Sequence, residues 1–129
     1  KVARYASEGY WMKAGLLRGA GRFPEAIAAY INTQKEPSSL FEEAECYVAL
    51  RKKEEAVGQL TEIENFFMEA APRAARQIAT GYFGFGNEKE GIATLRALMK
   101  KYPGSGQSNT AHIELERRGV KMGGGEDAN

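Results

Sequence analysis

His112 is the only imidazole and Cys46 the only thiol in a chain of 129 residues, so nucleophilic or metal chemistry would have to run through them or through carboxylates. A Ser or Cys triad needs nucleophile, base and orienting acid delivered from separate elements. Glu114 and Glu116 are too near His112 in sequence to converge on it in that way. Cys46 sits among Glu42, Glu43 and Glu45, and neighbouring carboxylates raise a thiol pKa and suppress the reactive thiolate. It reads as a buried, inert thiol. One His and one Cys complete neither a disulfide nor a four-ligand zinc site. The glutamates at 42, 43 and 45, or at 62 and 64, lack the spacing of a calcium-binding EF-hand loop. Gly84-Phe85-Gly86 and Pro103-Gly104-Ser105-Gly106 follow no strand and lack the spacing of phosphate-cradling loops, so they read as turns between helices. The residues therefore predict no catalytic group, no metal ligand and no cofactor, and a protein that is not an enzyme.

The elements that would position any site are helical. Hydrophobic residues make up 43% and charged residues 27% of the chain, with only 4 Pro, a balance that supports a packed core. No apolar run approaches the ~20 residues that span a bilayer, so direct membrane insertion is not expected. Leu40, Ala44, Tyr47 and Val48 share one helix face, as do Ile78, Ala79 and Tyr82, and Ile92, Leu95, Leu98 and Met99. Breakers at Gly19 to Gly21, Pro37 to Ser39, Arg51 to Glu55, Pro72, Gly84 to Asn87 and Pro103 to Gly106 divide the chain into seven helices. These are expected near 3–18, 23–34, 39–50, 54–69, 73–84, 88–101 and 107–118. Ser39-x-x-Glu42 has the form of a capping box opening the third. Residues 122–129, with Gly123-Gly124-Gly125 and two acids, read as a flexible tail. Lys1 opens the chain without an initiator Met or an apolar signal core, so it reads as a piece of a processed or longer chain.

Small residues recur at a fixed offset. Ala14 precedes Ala26 by 12 positions, Ala44 precedes Ala56 by 12, and Ala79 precedes Gly91 by 12. Leu17, Tyr47 and Tyr82 follow the first small residue of each pair by three, and Tyr30, Leu60 and Leu95 follow the second by four. This is the pattern of helical hairpins that cross closely at the small pair. The positions resemble the tetratricopeptide repeat: Tyr10, Lys13, Ala14, Leu17, Ala26, Tyr30; then Leu40, Glu43, Ala44, Tyr47, Ala56, Leu60; then Ala75, Ile78, Ala79, Tyr82, Gly91, Leu95, Pro103. The resemblance implies an all-α, α-α superhelix of about three hairpins (7–36, 37–71 and 72–105) and a C-terminal capping helix (106–121), a single domain over 1–121. Lys100-Lys101-Tyr102-Pro103-Gly104-Ser105 and the polar helix after it are similar to repeats of bacterial envelope proteins, the outer-membrane assembly lipoproteins and the TolA-binding periplasmic family. That finer likeness implies the periplasm or cell envelope, with the cytoplasm left open.

In tetratricopeptide proteins the first helix of each hairpin lines a concave groove, and its inner positions fall here on Trp11, Gly15, Phe41, Glu45, Val48, Arg76, Thr80 and Phe83, with Arg73 one turn before Arg76. The resemblance thus implies a noncatalytic scaffold that holds a peptide or partner helix at Trp11, Phe41, Arg73, Arg76, Thr80 and Phe83. The aromatic groups would supply apolar anchors and the arginines bonds to an acidic group. The Lys and Asn of the family's carboxylate-clamp variety are replaced by Trp11, Gly15 and Phe41, which does not support that activity. Charge is blocked along the chain: six basic and two acidic residues over 1–35, three and nine over 36–69, nine and four over 70–121. The blocks suggest an alternative, a structural segment of a larger envelope complex that self-associates. The net charge of +1 does not suggest a nucleic-acid partner.

Overall fold

The computed structural model describes residues 2–121; the Gly-rich acidic stretch 122–129 lies outside the described residues. Among the described residues there are seven helices: α1 (Val2–Gly19), α2 (Phe23–Ile31), α3 (Ser38–Ala49), α4 (Lys53–Phe66), α5 (Ala71–Gly84), α6 (Glu88–Lys101) and α7 (Gly106–Arg117). A single 3-10 turn, Met68–Ala70, leads from α4 into α5. No strand occurs among the described residues. The sequence places α5 after Pro72, but the helix already starts at Ala71. Pro72 lies in its first turn, where a missing N–H costs nothing and a fixed φ favours the start.

Helices α1 and α2, α3 and α4, and α5 and α6 pair as hairpins, and these stack through α2–α3, α4–α5 and α6–α7, with α5 also meeting α7. Each small pair lies at a crossing. Ala14 and Ala26 are fully buried, Ala44 and Ala56 retain 1% exposure, and Ala79 retains none. Gly91 has a different neighbour from the one its spacing suggests: a Cβ there would stand 2.6 Å from Cε1 of Phe83, so glycine makes room for that ring. Three apolar clusters follow, centred on Ala14–Ala26–Tyr30, Phe41–Leu60–Ile63 and Ala79–Leu95–Leu115. The architecture is an all-α superhelix of stacked hairpins.

The turn that closes the first helix of each hairpin is built once and reused. Gly21, Arg51 and Gly86 have φ of 78°, 61° and 82°, and each falls seven residues after Ala14, Ala44 or Ala79. The next amide bonds back across the turn each time: Arg22 to the Leu17 carbonyl at 2.9 Å, Lys52 to Tyr47 at 2.9 Å, Asn87 to Tyr82 at 2.8 Å. This is the Schellman arrangement, which needs a left-handed residue and favours glycine. Arg51 occupies it at a cost of about 1 kcal/mol. Helix α7 ends in the same way, with Gly119 at φ 77° and Val120 N–H bonded to Leu115 O at 3.0 Å.

The capping box expected at Ser39 and Glu42 is not formed. Helix α3 begins at Ser38 after Pro37, with no side-chain cap. Ser39 is buried, and Glu42 turns to Arg18 of α1, whose charge offers more than an exposed amide does. The hydroxyl that does cap a helix is Ser105, accepting from the Ser108 amide at 3.0 Å at the start of α7.

Candidate functional site

Two hollows lie side by side between the first helices of successive hairpins. The larger, of about 450 Å³, runs between α3 and α5, with Val48 and Arg51 on one side, Arg76, Thr80 and Phe85 on the other, and Ala44 and Leu60 among its lining. Gly81 and Gly84 face it as well and leave the α5 backbone uncovered there. The smaller, of about 260 Å³, lies between α5 and α7 and is lined by Arg76, Thr80, Phe83, Glu114 and Arg118. Arg76 and Thr80 border both, because residues four apart on α5 share one face.

The six residues nominated from sequence divide between surface and core. Thr80 is exposed, its hydroxyl donating to the Arg76 carbonyl at 3.1 Å. Arg76 reaches across to α7 and donates from Nε to Oε1 of Gln107 at 2.6 Å. Phe83 lines the smaller hollow, with Arg118 stacked over its ring at 3.5 Å and the Gly91 gap beside it. Phe41 is a correction: with 2% exposure it belongs to the second core cluster. Arg73 lies over the Phe41 ring at 3.9 Å and borders a separate cleft with Pro37, Phe67 and Met68, so it does not join Arg76. Trp11 is half-buried and meets Tyr30 edge-on, with ring centroids 5.4 Å apart. The shared reason is positional. Trp11, Phe41 and Arg76 are equivalent in the repeat, and that position turns toward a neighbouring helix: Trp11 to α2 of its own hairpin, Phe41 to the cluster shared with α5, and Arg76 to α7.

The groove ends differently at α1. Arg18 bonds Glu42 and, at 2.7 Å, Glu45, which draws α1 and α3 together. The basic first block and acidic middle block are thus partly matched within one chain. Glu43, between these two acids, is buried and accepts from Gln59 at 2.7 Å; burial pushes its carboxyl above the usual carboxylate range. Burial also pushes the Cys46 thiol up; the Arg18 charge opposes this, and those of Glu42 and Glu45 add to it. His112 stands 3.3 Å from Glu116 on the same helix, both well exposed. Among the described residues no group of three or more His, Cys, Asp or Glu could hold a metal ion, and no helix is long and apolar enough to cross a membrane.

Sequence reasoning missed Arg51 and Phe85 as residues lining the α3–α5 hollow. Arg51 was legible as the left-handed position seven after Ala44, since Gly21 and Gly86 keep that offset from Ala14 and Ala79. Residues 74–105 match the tetratricopeptide repeat family, as helix α5, α6 and the turn to α7 would require. The match supports the repeat and does not single out the envelope proteins. No curated protein matches the chain.

Proposed function

We propose that the chain is a noncatalytic interaction scaffold that holds a peptide or a partner helix in the concave groove formed by α3, α5 and α7. Tetratricopeptide repeats mediate protein–protein interaction, and residues 74–105 match that family. The observation that carries the reading is the junction of two hollows at Arg76 and Thr80, which makes one elongated site from two small ones. A site of that shape has apolar walls at Val48, Leu60 and Phe83 and a few polar groups, the usual make-up of a recognition groove. Thr80 and Arg76 sit at its centre, where binding energy concentrates. Trp11 and Phe41 serve as packing residues beneath and beside it.

Thr80→Trp tests this without disturbing the core, because Thr80 is exposed and a large side chain there obstructs the junction of the two hollows. Random peptides displayed on phage are selected on the protein, and the best binders are titrated against both forms. The expected outcome is at least a tenfold loss of affinity with an unchanged unfolding midpoint, tenfold being about 1.4 kcal/mol. Equal affinity for both forms would place the binding surface elsewhere.

A further inference from the structure

Four arginines of this chain are answered by acids. Arg18, Arg22, Arg117 and Arg118 each hold a glutamate. In the α3–α5 cleft the pattern changes: Arg76 gives its Nε to the neutral amide of Gln107, and Arg51 lies over the face of Phe85 at 4.8 Å. The one acid bordering the cleft, Glu45, is held by Arg18 at 2.7 Å. Two guanidinium groups thus face a cleft whose own acid is already paired. Stacking on an aromatic ring occupies a guanidinium's flat face and leaves its N–H edge free for a carboxylate.

Arg51 carries a second mark. It adopts φ 61° where the equivalent turns use Gly21, Gly86 and Gly119, so glycine would suit the backbone better. Strained residues of this sort gather at binding sites, where the side chain is needed. An anion at that end of the cleft meets the carbonyl termini of α3 and α5, whose field opposes it. Only a full positive charge such as that of Arg51 would hold it there.

We propose that the α3–α5 cleft selects a doubly acidic peptide segment, with one carboxylate on Arg76, another on Arg51, and a bulky apolar side chain between them against Val48, Leu60 and Phe85. The proposal rests on the groove reading above and names its ligand. Phe85, under Arg51, is nine residues from Arg76 along α5, about 13 Å at 1.5 Å per residue. An extended peptide covers that distance in about four residues at 3.3 Å each. The ligand is therefore an acid, an apolar residue within the next few positions, and a second acid about four residues from the first.

The test uses the whole chain and the same random-peptide library, selected on the parent protein, Arg51→Gly and Arg76→Gln. Peptides enriched on the parent should carry two acids about four apart around an apolar residue. Arg51→Gly should drop the preference for one acid and Arg76→Gln for the other, each with about a tenfold loss of affinity for the parent's best binder. Arg51→Gly should also unfold a few degrees higher, since it relieves the turn; a loss of binding in a more stable protein is not a folding defect. Binders that lose affinity with Thr80→Trp yet show no acidic preference would overturn this proposal and leave the groove reading standing. Binders indifferent to Thr80→Trp, or no binders at all, would overturn both.

Discussion

Two inter-hairpin gaps built on the same helix geometry use their charged side chains differently. Between α1 and α3, Arg18 bonds Glu42 and Glu45 across the gap. Between α3 and α5 the corresponding space stays a cleft, because Arg51 and Arg76 turn to an aromatic face and a neutral amide. The contrast teaches that the repeat supplies the surface between helices, while the pairing of a few charged side chains decides which stretch of it is bridged and which keeps its cations turned to neutral groups.

The largest expected effect asks whether the two gaps also differ beneath the surface. Ala14→Leu on the bridged side and Ala79→Leu on the other both force a side chain into a fully buried helix crossing. Each should cost on the order of 1 to 3 kcal/mol by thermal or denaturant unfolding. A much smaller loss for one of them would show that its crossing is loosely packed and that the contrast reaches the core.

A second effect comes from the helix the two gaps share. Helix α3 carries Glu42 and Glu45 on the bridged side, while Glu43 is buried with Gln59 as its donor and Glu36 as a further negative charge. Because its folded pKa is raised, the stability it contributes is fully present below the ordinary carboxyl value. That contribution fades as pH rises through the raised one. Glu43→Gln should therefore raise the unfolding midpoint at neutral pH and flatten its dependence between mildly acidic and neutral buffer. A lowered midpoint at pH 7 would mean that the charged form is favoured in the fold.

The smallest effect tests the bridge itself. Arg18 and Glu45 are substantially exposed, so Arg18→Ala should cost less than about 1 kcal/mol, with the difference shrinking as salt is added. A larger, salt-independent loss would make Arg18 part of the core and not a clasp on the surface.

How far these features could be read from sequence depends on how local they are. The 12-residue offset of Ala14, Ala44 and Ala79 from their partners lies within one hairpin, where two helices and a three-residue turn leave little freedom, so all seven helices were legible. The clefts depend on how one hairpin leans on the next, a relation between residues 30 or more apart. Phe41 looks like a surface anchor by repeat position, but Ala74 of α5 leaves room for it in the second cluster, which buries it. Ser39 looks like a cap until Arg18, 24 residues before Glu42, claims the glutamate that a capping box needs. Arg51 reads as an exposed charge in a charged turn, and its neighbour Phe85 is 34 residues away.

Stacking of each hairpin on the next gives the chain the mechanics of a short column. Helices α1 and α7 stand at its ends, while α3 to α6 are covered by neighbours on both sides. In such arrays each unit's persistence depends on the units beside it, so opening begins at the ends and moves inward. Amide protons of α1 and α7 are accordingly expected to exchange with solvent through local fraying, and those of α3 and α5 only when the column as a whole gives way. The cleft between those two helices thus lies in the part of the molecule expected to keep its shape longest, which would present the proposed ligand with a site already formed.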